Sequence, residues 1–145
     1  MQRNPATTQG IVTMDTFDNR YADLKILIAD DQGLMVDLMH SILTSYNCTH
    51  IYSEFCGEGA IEQHKVINPD VTLLDIDMPK KNGIQALTEI LQFSPDAFVV
   101  MVSAAHSADN VKEAIKAGAK GFIVKPYNSK RIASILDKYL TEKVS

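Results

Sequence analysis

From Leu24 onward, short apolar runs alternate with apolar residues at helical spacing. Residues 25–29, Lys-Ile-Leu-Ile-Ala, form the first run and predict a strand. The next apolar residues recur every three or four positions, which predicts an amphipathic helix whose apolar side chains face the core; they are Leu34, Met35, Leu38, Met39, Ile42, Leu43 and Tyr46. The domain is therefore expected to open with a strand and a helix.

The same alternation continues along the chain. We predict further strands near residues 50–53, 71–74, 98–102 and 121–124, and further helices near residues 57–64, 84–93, 108–117 and 129–140. Pro69 and Pro95 each precede a strand, where a helix must already have ended. Five strands interleaved with five helices predict an α/β fold with a parallel sheet covered on both faces.

The first 23 residues differ from the rest of the chain. They are rich in Thr, Gln, Asn and Asp and have no sustained apolar period, so we expect residues 1–23 to form a flexible arm. Residues 24–145 are expected to form one domain, because a chain of 145 residues has room for one ordinary core.

Composition and charge exclude several classes of function. The net charge is −4 and the basic residues are scattered, which argues against a nucleic-acid surface. No apolar run has the length that a membrane span needs, and the N-terminus has no secretory pattern. Cys48 and Cys56 lack a metal-binding spacing and are expected to be reduced thiols. We therefore expect a cytoplasmic protein that contacts neither nucleic acid nor membrane directly.

Acidic residues stand where two of the predicted strands end. Asp30 and Asp31 follow the first strand, and Asp75 ends the third. The carboxyl ends of parallel strands meet at one crevice, so these carboxylates can gather in one pocket. Oxygen ligands of this kind suit Mg²⁺, and the pattern predicts a magnesium site.

A hydroxyl residue and a lysine close the last two strands. Ser103 follows the fourth strand and Lys125 the fifth. Phosphoryl transfer needs positioning and charge neutralisation, which a metal, a cation and a hydrogen-bond donor supply. We expect Asp75 to be the nucleophile that becomes an aspartyl phosphate, with Lys125 and Ser103 contacting the phosphoryl oxygens. Asp31 and Asp75 would bind Mg²⁺ directly, with Asp30 assisting.

Five segments together resemble the response-regulator receiver domain, the CheY-like family of two-component signalling. They are residues 28–31 (Ile-Ala-Asp-Asp), 73–79 (Leu-Leu-Asp-Ile-Asp-Met-Pro), 82–83 (Asn-Gly), 102–104 (Val-Ser-Ala) and 121–126 (Gly-Phe-Ile-Val-Lys-Pro). The resemblance covers roughly residues 24–141. It implies a doubly wound, flavodoxin-like or CheY-like sheet with the strand order 2-1-3-4-5.

The resemblance also implies a function and roles for two more residues. Asp75 would accept a phosphoryl group from a phosphohistidine on a histidine kinase or a histidine phosphotransfer protein. The backbone carbonyl of Asp77 would complete the metal shell. On phosphorylation, Ser103 would move toward the phosphoryl group and Phe122 would turn inward. The face formed by the fourth helix, fifth strand and fifth helix would then bind a downstream protein or a second copy of the chain.

Such a protein is a signalling switch rather than a turnover enzyme. It would catalyse only its own phosphorylation and dephosphorylation. Phe122 lacks a phenolic hydroxyl, so turning its ring outward leaves an apolar group in water. We therefore expect the inward position of Phe122 to be favoured even before phosphorylation.

Three alternatives stay open. Asp75-x-Asp77 is similar to the opening motif of haloacid-dehalogenase-type phosphatases, but in that family the acid pair comes last, whereas here Asp30-Asp31 comes first. A flavodoxin-like electron carrier would need a phosphate-cradling loop after the first strand, where this chain has two acids that would repel phosphate. A receiver-like module that binds proteins without using phosphate is the third.

Overall fold

The computed structural model describes residues 18–104 and 108–143, in which strands and helices alternate. The strands are β1 (Lys25–Ala29), β2 (His50–Glu54), β3 (Val71–Asp75), β4 (Val99–Ser103) and β5 (Gly121–Val124). The helices are α1 (Gly33–Ser45), α2 (Gly57–Ile67), α3 (Gly83–Phe93), α4 (Ala108–Lys116) and α5 (Ser129–Lys143). Each predicted strand and helix is present, with ends that move by at most a few residues.

The five strands form one parallel sheet in the order β2-β1-β3-β4-β5. This order confirms the expected doubly wound α/β fold. It places β1 and β3 side by side in the middle of the sheet, with β4 next to β3. The carboxyl ends of these strands consequently lie next to one another.

Each face of the sheet is buried under helices, which explains why the central strands read as unbroken apolar runs. On β4, Val100 and Val102 face one core cluster, whereas Val99 and Met101 face the other. Side chains from α1 and α5 complete the first cluster, and side chains from α2, α3 and α4 complete the second. The alternation along β4 is the two-residue period of a strand between two covered faces.

The residues just before β1 pack against the domain, contrary to the expected arm. The side chain of Tyr21 is 1% exposed and lies in the first core cluster. Its hydroxyl donates to Asp137 at 2.5 Å, and the Thr49 hydroxyl donates to the carbonyl of Ala22 at 2.9 Å. The expected boundary at residue 23 is therefore too late. The rest of the predicted arm, residues 1–17, lies outside the described residues.

Helix α1 buries fewer apolar residues than its spacing predicted. Leu34 is 81% exposed, and Leu38 is also exposed. The buried residues of α1 are Val36, Met39, Ile42 and Leu43. The apolar stripe is wider than the face that meets the sheet, so the expectation that Leu34 and Leu38 face the core was wrong.

Composition led to expectations about membranes and thiols that the structure addresses in part. No helix within residues 18–104 and 108–143 combines the length and apolar character that crossing a membrane requires. Cys48 is buried and Cys56 exposed, and neither is in a disulfide. The cytoplasmic location stays a prediction.

Helix α3 begins directly beneath the end of β3. The Asn82 carboxamide accepts from the Gln85 amide, and the Gln85 carboxamide accepts from the Asn82 amide, both at 2.9 Å. This capping box starts α3 at Gly83, one residue earlier than predicted. A β-carbon on Gly83 would lie 2.1 Å from the carbonyl oxygen of Asp75. The contact leaves room only for glycine.

We predict that Gly83→Ala lowers the free energy of unfolding by about 1–3 kcal/mol, because the methyl group would have to displace backbone atoms of β3. Gly33→Ala is the matched control, since Gly33 is also the first residue of its helix and a β-carbon there meets nothing within 4 Å. It should be neutral or slightly stabilising. Urea denaturation followed by circular dichroism checks both variants. Equal changes in the free energy of unfolding for the two variants would contradict the close contact at Gly83.

Candidate functional site

The register of the sheet brings the predicted site residues to one edge. Ala29 of β1 pairs with Leu74 of β3, so the residues that follow them, Asp30 and Asp75, are adjacent. Ser103, the last residue of β4, pairs with Val124 of β5, and Lys125 comes next. Strands that end in register therefore place two acids, a hydroxyl and a lysine together.

Backbone hydrogen bonds hold these strand ends in place. The Asp30 amide donates to the Glu54 carbonyl at 3.1 Å, and the Lys125 amide donates to the Ser103 carbonyl at 2.9 Å. The peptide bond between Lys125 and Pro126 is cis. Each functional side chain thus leaves a backbone position fixed by the neighbouring strand.

Three carboxylates converge at this edge. Asp30, Asp31 and Asp75 each offer one carboxylate oxygen, and these oxygens all lie within 4.8 Å of one another. Asp30 and Asp75 are buried, with 4% and 2% of their surface exposed, whereas Asp31 is exposed. A set of oxygen ligands that is open to water on one side fits Mg²⁺, which keeps several of its waters. The three predicted acids are therefore together.

Lys125 is the cation within this group. Its ammonium nitrogen lies 2.9 Å from Oδ2 of Asp30 and 3.5 Å from Oδ1 of Asp75. Its side chain is only 9% exposed. One ammonium against three carboxylates leaves the ionised pocket with an excess of negative charge. A divalent cation would remove that excess.

The two oxygens of Asp75 differ in their surroundings. Oδ1 faces Lys125 and also accepts from the Asp77 amide at 3.4 Å. Among the described residues, Oδ2 has no hydrogen-bond partner. Among the described residues, the carboxylate is thus held through one of its two oxygens.

Burial raises the pKa of Asp75 to about 6. That value is the net result: the negative charge of Asp30 also contributes to the increase in the pKa, whereas the charge of Lys125 and the hydrogen bond from the Asp77 amide lower the pKa. Desolvation exceeds the attraction to Lys125, so the ionised carboxylate is held at a cost to the fold.

Ser103 and Asp77 contact each other directly. The Ser103 hydroxyl donates to Oδ2 of Asp77 at 3.0 Å. Ser103 is fully buried, whereas Asp77 is exposed in the loop that joins β3 to α3. The carboxylate of Asp77 thus faces the end of β4. The metal-binding role expected for the Asp77 carbonyl stays a prediction.

Gln32 is a member of the site that sequence analysis missed. Its side-chain Oε1 accepts from the Lys125 ammonium at 3.1 Å, and its backbone amide donates to Oδ1 of Asp30 at 2.9 Å. Gln32 is also the N-cap of α1 but makes no side-chain capping bond. Its position directly after Asp30-Asp31 was the one available signal.

Phe122 lies near Ser103 on the same side of the sheet. It pairs with Met101 of β4, two residues before Ser103, so the three side chains share a face. Phe122 is half-buried and packs against the second core cluster. The preference for an inward ring before phosphorylation stays a prediction.

Comparison with known proteins identifies the family. The sequence profile of the response regulator receiver domain matches residues 26–137. The chain belongs to the response-regulator receiver-domain family. It is 39% identical to the chemotaxis protein CheY of Thermotoga maritima, over 79% of this chain and 95% of that protein. It is 38% identical to the chemotaxis protein CheY of Bacillus subtilis, over 80% of this chain and 97% of that protein.

Solved structures agree with this assignment. A chain of the CheX–CheY–BeF3–Mg²⁺ complex from Borrelia burgdorferi superposes with a TM-score of 0.76 and 34% identity, covering 81% of this chain and 89% of that chain. A CheY-like receiver domain from Methanospirillum hungatei has a TM-score of 0.77 and 25% identity, covering 83% of this chain and 96% of that one. The resemblance noted in the sequence is thus confirmed, and the chain is a CheY-like receiver domain.

We predict that Asp75→Asn stabilises the metal-free receiver domain by about 2–3 kcal/mol near neutral pH. A pKa of about 6 in the fold, against an ordinary 3.8, means that the folded state holds the Asp75 proton more tightly than the unfolded chain. Stability should therefore fall as pH rises from about 4 to about 6, and the gain from Asn should vanish near pH 4.

Urea denaturation in EDTA at several pH values checks this prediction. Asp37→Asn is the control, since Asp37 is an exposed acid on α1 and its replacement should change stability by less than about 0.5 kcal/mol. A gain from Asp75→Asn that is the same at pH 4 and at neutral pH would contradict the expected cost of ionisation.

Proposed function

We propose that this receiver domain is a phosphoacceptor switch in which Asp75 takes a phosphoryl group from a phosphohistidine donor. The observation that carries the proposal is the unequal pair of oxygens on Asp75. Oδ1 is held by Lys125 and by the Asp77 amide, and Oδ2 has no partner among the described residues. On this proposal Oδ2 would be the oxygen that attacks phosphorus.

In the proposed transfer, a bond forms between Oδ2 of Asp75 and phosphorus while the bond from phosphorus to the donor imidazole nitrogen breaks. The imidazole leaves with the electron pair of that bond and takes a proton from water. Lys125 is close enough to Asp75 to pair with a phosphoryl oxygen. The Ser103 hydroxyl would donate a hydrogen bond to another phosphoryl oxygen. These contacts neutralise charge on the transferred group.

Mg²⁺ is the cofactor that we propose for this site. Asp30, Asp31 and Asp75 would hold it, with the Asp77 carbonyl completing the shell. When bound, the ion supplies positive charge that offsets both the carboxylates and the phosphoryl group. Receiver domains bind Mg²⁺, and a related chain was crystallised with BeF3 and Mg²⁺, which supports the assignment.

The donor would be a histidine kinase or a histidine phosphotransfer protein, and the output would be a changed protein-binding surface. We propose the face formed by α4, β5 and α5 for the downstream partner or for a second copy of the chain. Ile115 on α4 and Val124 on β5 are exposed apolar residues there. On this proposal the protein catalyses only its own phosphorylation and dephosphorylation.

Acetyl phosphate labelling tests the acceptor. With Mg²⁺ present, the wild type should take up one acid-stable, hydroxylamine-labile phosphoryl group, and Asp75→Asn should take up none. Asp96→Asn, which changes an exposed acid before the start of β4, at the opposite end of that strand from Ser103, should label like the wild type. Intact mass spectrometry measures the adduct. A phosphoryl group on the Asp75→Asn protein would contradict the assignment of Asp75 as the nucleophile.

The same experiment separates the alternatives. A protein-binding module that ignores phosphate would take up no label in any variant. A phosphatase would release phosphate from an aryl phosphate continuously, whereas the proposed switch gives at most a stoichiometric signal.

We predict that millimolar Mg²⁺ raises the melting temperature, because the ion binds the folded pocket and relieves repulsion among its acids. The free energy of unfolding should rise by about 1–2 kcal/mol when the Mg²⁺ concentration is roughly ten times its dissociation constant. Asp31→Asn should largely remove the gain, and Asp37→Asn, another exposed acid, should keep it. Differential scanning fluorimetry measures the shift; an undiminished response in Asp31→Asn would argue against Asp31 as a ligand.

A further inference from the structure

The hydroxyl of Ser103 already has an acceptor in the unphosphorylated protein. It lies 3.0 Å from Oδ2 of Asp77, a residue 26 positions earlier in the chain. An ionised carboxylate can only accept hydrogen bonds, so the hydroxyl proton of Ser103 points at Asp77. Ser103 is fully buried, and this contact therefore lies at the inner edge of the site.

A serine hydroxyl has one proton to donate. The proposed function assigns that proton to a phosphoryl oxygen on Asp75, and the structure assigns it to Asp77. The two hydrogen bonds exclude each other. We propose that Asp77 is a positioning residue that competes with the phosphoryl group for the Ser103 hydroxyl, so that phosphoryl capture must break the Asp77–Ser103 bond. This inference rests on the proposed function of the site.

Asp77 can compete effectively because its loop is anchored at both ends. The amides of Met78 and Gly83 both donate to the carbonyl of Ile76, at 3.0 and 2.8 Å. The Asp77 amide donates to Oδ1 of Asp75 at 3.4 Å. The backbone of the acceptor is therefore positioned before any phosphoryl group arrives, and little further ordering is needed to hold Ser103.

Side chains of two helices hold the same loop from outside. Lys81 forms an ion pair with Glu58 of α2 at 2.6 Å and a second, short ion pair with Glu89 of α3. The loop that holds Asp77 is thus tied to α2 and α3 independently of the site. Release of Ser103 consequently requires a change of side-chain partner rather than a movement of the whole loop.

Asp77 also has a simpler possible effect, which the test must separate. Its negative charge would repel a phosphoryl group whether or not it contacts Ser103. The two effects differ in what they depend on. Competition needs both the acceptor oxygen of Asp77 and the hydroxyl of Ser103, whereas repulsion needs only the charge of Asp77.

Titration with beryllofluoride, a phosphoryl analogue, at saturating Mg²⁺ tests the inference. ¹⁹F NMR measures the dissociation constant. Competition predicts that Asp77→Ala tightens binding about ten-fold, since the carboxylate that competes for the hydroxyl is then gone, while Asp77→Asn, which keeps an uncharged acceptor, tightens it by about three-fold. In a Ser103→Ala background, Asp77→Ala should change nothing.

Each other outcome has a defined meaning. Equal tightening by Asp77→Ala and Asp77→Asn overturns the inference in favour of charge repulsion, and this comparison does not require a folded Ser103 variant. A full effect of Asp77→Ala in the Ser103→Ala background overturns it as well. If the wild type binds no beryllofluoride, the proposed function itself fails, which is distinct from a wild type that binds the analogue but is indifferent to Asp77.

Discussion

The buried contact of Lys125 with Asp30 and Asp75 is the interaction on which the site depends. All three side chains are at least nine-tenths buried, and they are the charged groups that meet at the carboxyl ends of β1, β3 and β5. The desolvation penalty of a buried ion pair can exceed its Coulombic gain, and replacing such a pair by apolar residues of similar size is often neutral or stabilising. The raised pKa of Asp75 shows that cost directly. The cluster is therefore better explained by a chemical function than by a contribution to the stability of the fold.

The two side chains proposed to contact a phosphoryl group, Lys125 and Ser103, already have acceptors. Lys125 donates to Gln32 and pairs with Asp30 and Asp75, and Ser103 donates to Asp77. On the proposed function, phosphorylation would replace the single charge of the Asp75 carboxylate by a phosphoryl group that carries about −1.5 to −2 charges on three strongly accepting oxygens. The donors would then exchange partners, and each exchange would release a loop residue that the donor had held. In this way a local change of charge can reach the loops after β1 and β3.

Sequence periodicity predicted the sheet and the main site residues for one physical reason. In a parallel sheet each central strand is buried on both faces, so its end is marked by an abrupt change from apolar to polar residues, as at Asp30 and Asp75. Lys125 gave a similar signal at the end of the edge strand β5. The partners of these residues gave no such mark. Gln32 lies 93 residues from Lys125 in the chain, and a contact over that distance depends on rotamers that no local pattern encodes. The burial of Tyr21 was missed for a similar reason, because a single buried residue outside a helix or strand produces no periodic pattern in the sequence.

The register also relates the site to the binding face proposed for this domain. Ser103 and Phe122 lie on the same face of adjacent strands, offset by two positions, because Phe122 pairs with Met101. Phe122 is half-buried, and its carbonyl accepts from Arg131 of α5 at 2.8 Å. This hydrogen bond links the backbone of β5 to a side chain of α5. On the proposed function, Ser103 would move toward Asp75; because the interior is close-packed, that displacement would change the space open to the Phe122 ring, which could then respond without any change in strand pairing.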